Sequence, residues 1–419
     1  MTDPFRAMLV LAILATTLIL MLVRPGDRAE AWYAAGGAIG MVAIGAVPLP
    51  AVPGLVRETE NVLLFLAGMM LLTGVAERAG VFTALADGCV RLANGQGRRL
   101  YVLLFLLGAL VTATLSLDVT VIMLTPIVAT IAVRRRLDPV PFLFACVFVA
   151  NTASLVLPVS NLTNLLVFAR LEPGFAPFVA TMWLPNLVSA TVNLGLFLWL
   201  FRDRIPQRFA TDNLPPTALD RWLVVAGSVT GATLVAIFAL GLADLPLWWA
   251  AVGGGGLLAI VAAARGRLTA RHLAHDLSPG IFIFVIAMTV VVEGFRREFL
   301  EGRHIPLPHG PALVAVTGIV GGAVGSNIVN NIPMTVLALS ILDGVKPELQ
   351  QALAYGTLVG VNIGPALTTY GSLATMLWLT LVRRRDIAIS TGDYLRVSLV
   401  TVPVVLAATG LTLVAVLLA

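Results

Sequence analysis

One carboxylate, Asp118, lies deep inside a long apolar stretch, in the run Ser116-Leu117-Asp118-Val119-Thr120. A carboxylate at membrane depth is costly unless it is hydrated, paired or protonated, so Asp118 reads as a proton or cation site, and proton coupling is the role assigned to it here. Its structural alternative is to cap the following helix by accepting from the amides of Thr120 and Val121. Amides form a second group. Asn327, Asn330 and Asn331 lie within five residues, and Asn151, Asn161, Asn164 and Asn362 stand in or beside other interruptions of apolar runs. An asparagine can bind a hydroxyl or coordinate a cation through its carbonyl, and it can equally satisfy the backbone of a broken helix. The candidate substrate contacts are Ser116, Thr120, Asn151, Ser160, Asn161, Asn327, Asn330, Asn331, Asn362 and Ser372.

Other chemistries are poorly supported. Cys89 and Cys146 are the only cysteines, too few for a zinc site or a disulfide framework, and they read as small hydrophobes. His272 and His275 lack the HExxH pattern and fall in an Arg-rich loop. The sole lysine, Lys346, precedes Pro347, so there is no Walker A motif, and no GxSxG elbow occurs. No metal site, cofactor or enzymatic activity is expected. Glu77 and Glu293, at the ends of third helices in each half, read as interfacial anchors.

The elements that must position these residues are membrane helices. Of 419 residues, 58% are hydrophobic and 12% charged, with 27 basic and 22 acidic side chains. That is too little charge to cover a water-facing surface, which excludes soluble enzymes, nucleic-acid binders and disordered proteins. Full spans are expected near 7–23, 30–50, 61–77, 139–168, 180–201, 221–240, 246–263, 279–294, 350–382 and 394–418. The first shows no cleavable-signal pattern and is kept as a span.

Two further segments do not fit single crossings. Leu100 to Val133 would make a rod of about 51 Å, against a hydrocarbon core of roughly 30 Å. Arg98 and Arg99 precede it and Arg134, Arg135 and Arg136 follow it, so both ends belong on the cytoplasmic face. It reads as a re-entrant helical hairpin over about 100–133, with Asp118 near the tip. Pro311 to Leu342 has the same construction, but its flanks, with Glu301, Arg303 and His304 before and Asp343, Lys346 and Glu348 after, place both ends outside. In this threading Arg6, Arg57, Arg170, Arg296, Arg297, Arg303 and Lys346 are external, every other Lys and Arg is cytoplasmic, and both termini are external.

Sliding the chain by 211 positions lays Asn151–Asn161 over Asn362–Ser372 without a gap, and the positively charged ends exchange sides between the copies. The expected fold class is therefore an all-α polytopic membrane protein with two inverted-topology repeats, about ten spanning helices and two re-entrant hairpins. Residues 1–201 form the first repeat (hairpin 100–133, broken helix 139–168), 202–220 a cytoplasmic linker, and 221–419 the second (hairpin 311–342, broken helix 350–382). Gly325, Gly364 and Gly371, with Pro158, Pro333 and Pro365, suit the breaks as architecture. Inverted repeats with interrupted helices are the pattern of secondary transporters, whose sites lie where broken helices meet.

The runs Leu117–Val128, Ala150–Asn161, Gly325–Met334 and Gly371–Leu379 resemble the bacterial arsenite efflux permease family (ArsB), within the ion transporter superfamily. The resemblance runs from about residue 60 to the C-terminus. It implies export of arsenite or antimonite as the neutral trihydroxide in exchange for protons, across a bacterial inner membrane, with a cytosolic arsenite-stimulated ATPase as an optional partner. It also aligns Asp118 with the family's membrane aspartate. Two positions depart: relatives usually carry Asp where this chain has Asn362, and a polar residue where it has Ala366. The alternative within the superfamily is a sodium/proton antiporter or a sodium-coupled carrier of dicarboxylate type. No arginine falls in the four breaks, which suits a neutral polyol better than a di- or tricarboxylate.

Overall fold

The computed structural model describes residues 4–23, 29–210, 220–301, 303, 305–385 and 387–419, so His304 and residues 211–219 of the 202–220 linker lie outside the described residues. The described chain is helical, with one isolated bridge between Gln96 and Arg208. The helices are α1 (Pro4–Val23), α2 (Glu30–Ala43), α3 (Val52–Arg78), α4 (Val81–Ala93), α5 (Gly97–Thr114), α6 (Leu117–Val119), α7 (Thr125–Arg134), α8 (Pro139–Thr152), α9 (Leu162–Leu171) and α10 (Phe175–Leu200). After the linker come α11 (Arg221–Leu242), α12 (Trp248–Ala264), α13 (Ala270–Leu277), α14 (Pro279–Phe295), α15 (Pro311–Val329), α16 (Asn331–Ser340), α17 (Pro347–Ile363), α18 (Leu373–Arg383) and α19 (Thr391–Leu418).

Local signals set many of the boundaries. Pro139, Pro279, Pro311 and Pro347 open helices at the position where a missing N–H costs nothing. Asp138 caps α8, accepting from Val140 N at 3.0 Å, and Ser390 with Asp393 forms a capping box on α19. The expected spans are recovered, mostly with ends shifted by a few residues. The main shift is in α3, which begins at Val52, because Arg57, Glu58 and Glu60 are accommodated in the helix although they depress local hydropathy. The amphipathic α4, absent from the expected spans, lies against α5; it is too short for a span and carries Asp87 and Arg91.

Among the described residues nine helices are long and apolar enough to cross a membrane. This set differs from the expected ten because it includes 97–114, 117–134 and 311–329, the arms of the two interrupted segments, and omits α2, α12 and the broken helices, each piece of which is too short. Neither interrupted segment is a rod. A Cβ added at Gly108 would lie 3.9 Å from Thr120 Cγ2, two positions that a continuous helix would separate by about 18 Å. The chain thus reverses at Leu115–Ser116. It reverses again at Asn330, where the Met334 thioether folds back over Gly325.

Packing is reciprocal between the halves. The α3 helix crosses α12 while α14 crosses α2; the arm after Asp118 packs on α18 while α16 packs on α9; and α10 meets α19. Basic loops gather at one end of the bundle. There Arg204 pairs with Asp138 at 2.6 Å, Arg135 donates to Ala210 O, Arg385 donates to Thr130 Oγ1, and Gly97 N–H donates to Gln207 O. At the other end Arg296 bridges Glu293 and Asp343, Arg170 also meets Asp343, and Arg6 pairs with Glu298. Glu293 is 8% exposed and accepts from both Arg296 and Arg297, so it is the centre of an ion cluster. Its counterpart Glu77 is exposed.

Candidate functional site

Two breaks form the polar interior. In the first, α8 ends at Thr152, Pro158–Ser160 makes one 3-10 turn, and Asn161 caps α9 by accepting from Thr163 N at 3.3 Å. In the second, α17 ends at Ile363, Gly364–Leu367 makes the turn, and Ser372 caps α18 by accepting from Thr375 N at 3.2 Å. Pro158 and Pro365 each remove a donor that a continuous helix would need. The long helix that follows each break secures it. From α10, Asn186 accepts from Leu155 N (2.9 Å) and Asn193 donates to Thr152 Oγ1 (2.8 Å). From α19, Tyr394 O–H donates to Ala366 O (2.9 Å) and Ser398 O–H to Leu367 O (2.8 Å). The sequence reading missed these four. The available signal was spacing: Asn186 and Asn193 are seven apart and Tyr394 and Ser398 four apart, on one face of otherwise apolar helices.

The breaks meet through side chains. Asn362 Oδ1 accepts from Asn161 Nδ2 (2.8 Å) and Thr163 Oγ1 (2.6 Å), while Asn362 Nδ2 donates to Asn164 Oδ1 (2.8 Å) and Ser154 O (3.4 Å). All of these residues are at most 3% exposed. Asn161 and Asn362 were expected contacts; Thr163 and Ser154 were not, and Asn164 was noted only as standing beside a break.

Each reversal touches the break of its own half. Ser160 O–H donates to Ala113 O (2.7 Å), at the end of α5, and accepts from Leu157 N. Asn327 Nδ2 donates to Gly364 O (2.8 Å), and its carbonyl accepts from Thr368 (2.7 Å). Both reversals therefore lie level with the breaks. Asn330 turns the second with φ 76° and ψ 159°, a region nearly reserved for glycine that costs about 1–3 kcal/mol and tends to occur at functional sites.

Asp118 does not cap the helix that follows it. Ser116 does, accepting from Val119 N at 3.3 Å, and this replaces the expected capping role because the cap must precede the first helical residue, Leu117. The Asp118 carboxyl is half-buried in the first turn, where the helix dipole favours negative charge, and among the described residues no cation pairs with it. A π-helical turn, Thr120–Leu124, follows and ends before Pro126; such turns recur at functional sites. Thr120 meets Thr112 hydroxyl to hydroxyl at 2.7 Å. The remaining candidates are bonded locally: Asn151 donates to Val147 O, Asn331 accepts from Ile332 N, and Ser372 pairs with Thr375.

A cavity of about 640 Å³ opens between α3, α9, the start of α10 and the turn from α11 to α12. On α9 and its C-terminal cap it is lined by Leu165, Phe168, Ala169 and Glu172, on the same helix as Asn164. Glu58, Glu172 and Asp244 line it together with Asn61, and among the described residues no lysine, arginine or histidine does. An acidic vestibule repels anions and admits cations or neutral solutes.

The profile of the family described as "Citrate transporter" matches residues 6–361 of this chain. The chain belongs to the citrate transporter family. As a family member it is similar to the arsenical pump membrane protein of Escherichia coli K12, 28% identical over 94% of this chain and 95% of that one. A putative arsenical pump membrane protein of Bacillus subtilis is 22% identical, over 92% and 94%. In fold, this citrate transporter family member resembles the YdaH transporter of Alcanivorax borkumensis (TM-score 0.55, 15% identity, 98% of each chain) and MtrF of Neisseria gonorrhoeae (TM-score 0.52, 14% identity, 98% and 94%). It is thus a multi-pass membrane transporter, with spans and relatives in agreement.

Proposed function

We propose that this protein exports arsenite or antimonite as the neutral trihydroxide in exchange for protons. One observation carries the reading: among the described residues the polar interior and its vestibule hold amides, hydroxyls and acids but no cationic side chain. A citrate or dicarboxylate anion would enter past Glu58, Glu172 and Asp244 and find no guanidinium to bind. A neutral molecule with three hydroxyls needs only donors and acceptors. The arsenical pump relatives support this substrate class, and Asp118, with neither a cation partner nor a capping task, is the group to carry the proton. The second reading is a sodium-coupled anion carrier, and the family description, citrate transporter, supports its anion substrate.

Proteoliposomes separate the two. A pH gradient alone is expected to drive arsenite and antimonite uptake, without sodium. Sodium-dependent citrate or succinate transport with no response to arsenite rejects the first reading in favour of the second.

In the proposed cycle the two reversing helix pairs act as re-entrant hairpins and move with the broken helices against a scaffold of α1–α3 and α11–α14. Residues 1–201 and 221–419 are the inverted repeats, joined by 202–220 on the cytoplasmic face. The reciprocal crossings of α3 with α12 and α14 with α2, and the gathering of basic loops at one end, support this. It places exposed Arg303 outside and exposed Arg271 inside. Arg303→Cys is expected to react with an impermeant thiol reagent in intact cells, and Arg271→Cys only after permeabilisation. The reverse labelling would invert the topology.

A further inference from the structure

The junction between α9 and α17 has no spare hydrogen-bonding capacity at Asn362. A carboxamide offers two acceptor lone pairs and two donor hydrogens, and Asn362 uses all four within the protein, on Asn161, Thr163, Asn164 and Ser154. The orientation of each amide follows from backbone groups that cannot change character. Asn164 Nδ2 donates to the carbonyls of Ser154 (2.7 Å) and Leu157 (2.9 Å), so Asn164 Oδ1 faces residue 362 and requires a donor there. Asn161 Oδ1 accepts from the Thr163 N–H, so Asn161 Nδ2 faces residue 362 and requires an acceptor.

We propose that Asn362 is a positioning residue, a neutral pivot that joins the break of the second half to that of the first and admits no charged side chain at this position. A substrate would find no free valence on it. An ionised aspartate here would set a carboxylate oxygen against Asn164 Oδ1 and Ser154 O, two acceptors held in place by the backbone. The protonated acid would instead supply the missing donor. Leucine would supply neither donor nor acceptor and strand Asn161 Nδ2, Thr163 Oγ1 and Asn164 Oδ1, while Ser154 O would keep its bond from Asn164. The ionisable groups on the elements packed around this end of α17 are Cys146 on α8, Arg170 on α9, Asp393, Tyr394 and Arg396 on α19, and Glu348 and Tyr355 on α17 itself. None of them bonds to Asn362. The corollary that Asp118 alone carries the coupling proton rests on the function proposed above; the pivot does not.

The test is thermal melting of the full-length protein in detergent from pH 5 to pH 8, for wild type, Asn362→Asp and Asn362→Leu. Because the folded variant would hold the aspartic acid proton more tightly than the unfolded chain, Asn362→Asp is expected to melt near wild type at pH 5. It should then fall progressively below it as pH rises, by at most about tenfold in the folding equilibrium per pH unit. Asn362→Leu is expected to melt lower at every pH. Transport by Asn362→Asp should decline over the same alkaline range. A gap between Asn362→Asp and wild type that does not change with pH, or an Asn362→Leu protein as stable as wild type, overturns the proposal. Melting is read without substrate, so failure of arsenite transport in wild type would reject the proposed function and leave this result standing.

Discussion

Asp118→Asn is expected to take proton-driven arsenite accumulation in everted vesicles from about fiftyfold at 100 mV to none, since one charge moved through that potential supplies about 2.3 kcal/mol. The variant keeps the shape of the side chain and removes its titration. Ser116 caps the helix, so the substitution should leave the turn at Leu115–Ser116 folded, and melting should stay close to wild type. The loss would then be one of coupling rather than of structure. Downhill exchange of arsenite could survive, because the amides and hydroxyls of the breaks are untouched. Full uphill transport by Asp118→Asn would sink the proton-coupling role, whatever the substrate proves to be.

The largest expected effect on stability comes from Gly356→Leu, with a loss of about 3 kcal/mol or more, at the upper end of overpacking costs. The α15 and α17 helices touch backbone to backbone along glycines spaced four apart, Gly318 and Gly322 on one and Gly356 and Gly360 on the other. A Cβ at Gly360 would lie 2.8 Å from Ala323 N and 3.0 Å from Gly322 Cα, and one at Gly356 would overlap Ala315 O. These neighbours are main chain and cannot rotate away. Inside a bilayer there is no hydrophobic drive to hold helices together, so such close approach is itself the source of the attachment. A melting temperature in detergent equal to wild type would show that the helices can separate without penalty. The effect should reach the site, because Asn362 lies at the end of α17 and Asn327 near the end of α15, where it bonds to Gly364 O.

Much of this arrangement could be read from residue types alone. Hydropathy located the helices because burial in lipid is a local, roughly additive property. Proline, glycine and asparagine marked the interruptions because each disturbs a helix at its own position. Arg98, Arg99 and Arg134–Arg136 flank the first interrupted segment, and in the fold Gly97 and Arg135 both meet the 207–210 stretch at one end of the bundle. The amphipathic α4 was not visible in this way, since 13 residues with two charges make no span and gain their burial only by packing on α5, α3, α7 and α11.

Site assignments were harder to read. Ser160 and Asn327 were candidate substrate contacts, yet their hydrogen bonds tie each reversal to its break. Asp118 could have been a cap, and one residue earlier Ser116 holds that position. The sequence by itself determined a polytopic membrane protein with four interruptions, segregated charge and one carboxylate at the level of the breaks, because these follow from the composition and order of neighbouring residues. The tertiary structure alone decided that Asn362 meets Asn161, 201 positions away, and that an acidic cavity lies against α9, the helix that carries Asn164. Hydrogen bonds across such separations depend on how the two halves pack, and no local pattern encodes which of seven similar amides will face which partner.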